Sequence, residues 1–103
     1  MKRVPNSQVI EAWINGQTAA NHKNTLQALP TGELYSYFLK IGQRTPGGVC
    51  VLGEYNAKTG YFKSQTTSTP VSLAKRLITH SGGLVMHPLV WETSPLHEEE
   101  IPF

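Results

Sequence analysis

Residues 33–44, ELYSYFLKIGQR, are the strongest strand signal in the chain. Aromatic and branched side chains suit a pleated, half-buried surface. With a period of two, Tyr35, Tyr37, Leu39 and Ile41 line one face and Leu34, Ser36, Phe38 and Lys40 the other. Immediately after it, Thr45-Pro46-Gly47-Gly48 is a turn, because Pro46 fixes one dihedral and the two glycines accept positive φ. Residues 49–55, VCVLGEY, are apolar on both faces for four positions, which suits a central strand, and Gly53 marks a candidate bulge. Residues 56–60, NAKTG, form a third tight connection, and 61–67, YFKSQTT, a fourth strand that grows polar. On the other side, residues 25–29, TLQAL, make a short first strand that ends at the Pro30-Thr31-Gly32 turn. Short connections between successive strands predict a four-stranded antiparallel meander.

The period changes at both ends. Val9, Ile10, Trp13 and Ile14 share one side of a 3.6-residue repeat, with Asn6 or Ser7 as N-cap and Gly16 as the stop. In residues 69–83, Val71, Ala74 and Ile78 share a face; Ser68 or Thr69 is the expected cap and Pro70 the first helical residue. His80 falls in its last turn, and Gly82-Gly83 end it. Residues 84–91, LVMHPLVW, read as an edge strand or extended segment because of Pro88. The predicted class is therefore α+β: an N-terminal helix, a four-stranded antiparallel meander, a C-terminal helix and an extra edge strand. Residues 1–91 form one domain and 92–103 an acidic tail.

Composition narrows the function classes. The chain has 103 residues, a formal charge of +2 and 16% charged residues. A core of this size is modest, burying roughly 60–65% of the unfolded surface. The net charge is too weak to imply nucleic acid. Its distribution is uneven: Lys40, Arg44, Lys58, Lys63, Lys75 and Arg76 face the single acid Glu54, while Glu92, Glu98, Glu99 and Glu100 lie in the last stretch. The start, MKRVPNSQVIEAW, lacks the continuous apolar run of a signal peptide, and no segment approaches the roughly 20 apolar residues of a membrane span. A cytoplasmic, soluble protein with no membrane association is expected.

Catalytic and metal readings find little support. His22, His80, His87 and His97 are scattered, no metal-ligand spacing occurs, and there is no aspartate. Cys50 is the one cysteine, within an apolar strand that would bury it and keep its thiol protonated. RTPGGV is not a phosphate-binding loop, since no Lys-Ser or Lys-Thr follows. No enzyme activity, cofactor or metal is expected. The remaining candidate is residues 54–76, where Lys58, Lys63, Lys75 and Arg76 supply charge and Thr67 and Ser68 supply hydroxyls beside a helix N-terminus. Against it, hydroxyl residues suit a strand edge and a helix cap, and Lys75 and Arg76 fall on the solvent side of the helix.

Residues 9–76 resemble small uncharacterised proteins of tailed phages and environmental viral sequences. The resemblance rests on VIEAWINGQTA, on GELYSYFLKIGQRT and on TGYFKSQTTSTPVSLAKR. Those relatives often carry His after TTS-x, where this chain has Pro70. The resemblance implies a viral or microbial cytosolic setting and assigns no catalytic residue. The expected function is protein–protein interaction, with a host protein as candidate partner, through an exposed patch built on Trp91, Phe103 or the outer tyrosines. The alternative is weak, sequence-independent nucleic-acid binding through the four cations. Unpaired sheet edges predict a homo-oligomer in which residues 84–91 or the tail cross to a neighbour.

Overall fold

The computed structural model describes residues 3–37, 39–55 and 65–94, with residues 65–69 described by their backbone alone. The order is α1 (Asn6–Ile14), β1 (Ala19–Ala20), β2 (Leu26–Ala28), β3 (Glu33–Ser36), β4 (Leu39–Arg44), β5 (Cys50–Gly53), α2 (Gln65–Ser81), β6 (Leu84–Met86) and α3 (Pro88–Thr93). The strands form one sheet in chain order, antiparallel from β1 to β5. Strand β6 lies parallel to β5 because α2 carries the chain back to the same end of the sheet. The α+β class is thus present, with a six-stranded mixed sheet rather than a four-stranded antiparallel one.

Two tryptophans hold the layers together. Gly42 pairs with Leu52, and a Cβ on Gly42 would stand 2.6 Å from the Trp13 ring, so α1 packs on that face. Gly53, the next residue after Leu52, points to the opposite face. A Cβ there would stand 2.6 Å from Trp91, so α3 caps the other side. Each indole N–H also ends on a carbonyl: Trp13 Nε1 donates to Gly32 at 2.8 Å and Trp91 Nε1 to Lys40 at 3.1 Å. Helix α2 packs beside α1 and buries Val71, Ala74 and Ile78. A helix as short as α1 is marginal in isolation. Burial of Val9 and Ile10, about 1.5–3 kcal/mol for each side chain, is what holds it.

Several sequence expectations are corrected. Residues 33–44 are not one strand: the chain reverses at Tyr37, φ 55°, so Ser36 pairs with Leu39 and β3 and β4 form a hairpin. A bulge between Leu34 and Tyr35 then leaves Lys40 and Ile41 both buried, which breaks the simple alternation. Of the predicted fourth strand, residues 65–67 are helical and 61–64 lie outside the described residues. Helix α2 starts at Gln65, so Pro70 sits inside it rather than at its first position. Its missing N–H leaves the Thr66 carbonyl without its intrahelical donor. At α1 the N-cap is Pro5, with no side-chain cap; Asn6 instead accepts from Asn21 Nδ2 at 2.9 Å. Residues 19–20, beyond the Gly16 stop and assigned to no element in the sequence, form β1, whose outer side is bridged by Arg3. The 84–91 segment does give an edge strand, but Pro88 then opens a helix, with His87 Nδ1 accepting from the Leu89 amide at 3.2 Å.

Candidate functional site

Of the cations in the candidate basic stretch, the described side chains are those of Lys75 and Arg76. Lys58 and Lys63 lie outside the described residues. Thr67 and Ser68 are described by their backbone alone, as the third and fourth described residues of α2. Lys75 is paired with Glu54 and is half-buried, not a free surface cation. Arg76 is exposed, as its position opposite the Val71–Ala74–Ile78 face predicts. The pairing of Lys75 follows from the return of the chain: α2 packs on β5, and Glu54 directly follows that strand.

No hydrogen bond joins Cys50 to a described histidine. The Cys50 side chain is buried, and that burial pushes its thiol pKa up despite the opposing pull of Arg44. His80 is exposed at the end of α2, and His87 caps α3. Among the described residues no three His, Cys, Asp or Glu side chains come together as a metal site. No described helix is long and apolar enough to cross a membrane.

Two other features stand out. The first is the β6–α3 edge. Leu84, Leu89 and Val90 are each more than half exposed, at 54%, 52% and 55%. Met86 O accepts from the Glu54 amide at 2.8 Å, so Met86 and Leu84 turn their backbone groups toward β5. Val85 therefore presents its N–H and C=O on the outer side, where no described strand pairs. Trp91, expected as part of a surface patch, is fully buried against Gly53. Its neighbours Leu89 and Val90 carry the exposed apolar surface instead. Tyr37 is a separate exposed aromatic, at 48%.

The second feature is a cleft of about 260 Å³ where three connections meet: the end of α1, the Pro30–Gly32 turn and the turn after β4. Among the described residues that line it, Arg44 is the one that carries a charge. Its Nε donates to Ile14 O at 3.1 Å, joining the end of β4 to the last turn of α1. Gln43 Nε2 bridges the carbonyls of Thr31 and Arg44, both at 3.0 Å, and closes the cleft wall. In the sequence Arg44 counts only toward a basic centre. Its partner Ile14 lies 30 positions away, so no local spacing marks it. No family model, curated protein or solved structure matches the chain.

Proposed function

We propose that this domain is a binding module that acts by protein–protein contact through the β6–α3 edge, with a second copy of the chain as the first partner. The observation that carries the reading is the exposure of Leu84, Leu89 and Val90 on and just after a sheet edge whose outer side no described strand pairs. Large apolar side chains grouped at an unpaired strand edge favour pairing with another chain. A second copy suits the edge because two β6 strands meeting antiparallel about Val85 set Leu84 beside the partner's Met86, and the two-fold repeats that contact. The opposite edge of the sheet offers less, since Arg3 bridges the outer side of β1. The resemblance to small tailed-phage proteins adds a viral or microbial cytosolic setting, with a host protein as a further partner that would use the same apolar surface.

Nucleic-acid binding is the weaker reading. Lys75 is neutralised by Glu54, which leaves Arg76 as the exposed cation among the described members of that set. The test is the mass in solution, by light scattering on a size-exclusion column over a wide concentration range. The wild-type chain is expected to pass from monomer to dimer, and L84E/V90E to stay monomeric with an unchanged circular dichroism spectrum. A wild-type chain that stays monomeric at every concentration would sink self-association.

A further inference from the structure

We propose that the cleft at the turn after β4 binds an oxyanion, with the terminal nitrogens of Arg44 gripping a phosphate or carboxylate group. An arginine carries five N–H donors in a planar fork. One is used on Ile14 O, and among the described residues the four on Nη1 and Nη2 have no acceptor. Arg44 is half-buried, and donors held in a concave site call for a partner, either water or a ligand. The fork matches two oxygens of a phosphate or carboxylate, and such charge-assisted pairs are about twice as strong as neutral ones.

The side chain is also held in place before any ligand arrives. Its guanidinium lies against Gly16, where a Cβ would come within 3.0 Å of Nη1 and 3.1 Å of Cζ. Gly48 is also close, with its Cβ position 3.5 Å from Nη2. The bond to Ile14 O answers the negative end of α1 through Nε and leaves Nη1 and Nη2, in a residue that lines the cleft, without a described acceptor. No carboxylate is among the described residues that line the cleft. Glu33, the nearby acid, is held elsewhere, by the Thr31 hydroxyl at 2.6 Å and by Lys40 at 3.8 Å. Thr45 Oγ1 accepts from the Val49 amide at 3.1 Å and keeps its own proton for an incoming oxygen. The glycine turn contributes room rather than an amide cradle, consistent with its lack of a phosphate-loop sequence. None of these residues belongs to the β6–α3 edge, so this site stands or falls independently of self-association.

The experiment is a titration with inorganic phosphate, and separately with acetate, at constant ionic strength against chloride, followed by amide and arginine Nε–H resonances. Saturable shifts are expected at Gly16, Gly32, Thr45 and Gly48 and at the Arg44 Nε–H. In R44Q, once its spectrum shows a folded chain, phosphate binding should weaken by about tenfold or more. In R76A it should be unchanged. If R44Q does not fold, the wild-type Arg44 Nε–H signal decides alone. Absence of saturable shifts, equal weakening in R76A, or shifts that chloride reproduces would overturn the proposal. Phosphate and acetate bound alike indicate recognition of any oxyanion; phosphate alone indicates a tetrahedral group.

Discussion

Gly42 and Gly53 lie flat beneath indole rings, one on each face of the sheet, and neither position has room for a methyl group. Gly42→Ala should destabilise the domain by about 2 kcal/mol, since the ring or the strand must move; urea denaturation, with the m-value as control, measures it. Tyr55 is a different case, fully buried with its hydroxyl donating to Glu92 Oε2 at 2.6 Å. Burial first, then the bond to Glu92 and its charge, push the phenol pKa well above its ordinary value. A folded pKa above the unfolded one means the stabilisation is complete below about pH 10 and fades as pH rises beyond it. Cys50 has the same sign, raised by burial, and its contribution begins to fade above about pH 8.5. Stability measured from pH 7 to 11 should therefore fall in the alkaline range. C50A should remove the earlier part of the fall and Tyr55→Phe the later part. Identical alkaline slopes in all three chains would show that these groups titrate alike in the folded and unfolded states. At neutral pH, Tyr55→Phe should cost about 1 kcal/mol for the lost bond.

At the scale of elements, the β3–β4 hairpin turns on a residue that does not favour the turn. Tyr37 has φ 55° and is exposed, with its amide donating to Thr25 O at 2.8 Å. A left-handed conformation costs a non-glycine residue about 1 kcal/mol or more, and Asn tolerates it best after Gly. Tyr37→Asn should thus be neutral or raise stability by up to about 1 kcal/mol, while Tyr37→Val should lower it. Thermal unfolding of the two variants reads the difference, and a destabilised Asn variant would mean that contacts of the ring outweigh the strain. This turn was illegible in the sequence because ELYSYFLK contains no Gly, Pro or Asn to mark it. Helix α2 shows the reverse case. Threonine and serine are weak helix formers, yet the backbone from Gln65 is helical. A helix anchored downstream by Val71, Ala74 and Ile78 extends upstream at little cost once nucleated.

For the whole molecule, Arg3 bridges one edge of the sheet, while no described strand pairs with the outer side of β6 at the other, and the proposed self-association rests on this asymmetry. Replacing Leu84 and Val90 by Glu should change assembly far more than stability, because both side chains already face water. Equal loss of stability and of assembly would instead mark them as part of the fold. The amino-acid sequence by itself determined the α+β class, the cores of α1 and α2, strands β2 and β5, the edge character of residues 84–86 and the burial of Cys50. Those are local matters: period, turn residues and Pro or Gly positions act within a few residues of one another. Only the tertiary structure decided that Trp91 is core, that Lys75 is held by Glu54 and that Arg44 reaches the end of α1. Each of those pairs residues far apart in the chain, such as Arg44 with Ile14 and Trp91 with Lys40. The meeting of such residues depends on strand order and on the return of α2 to β5, and no local period encodes either.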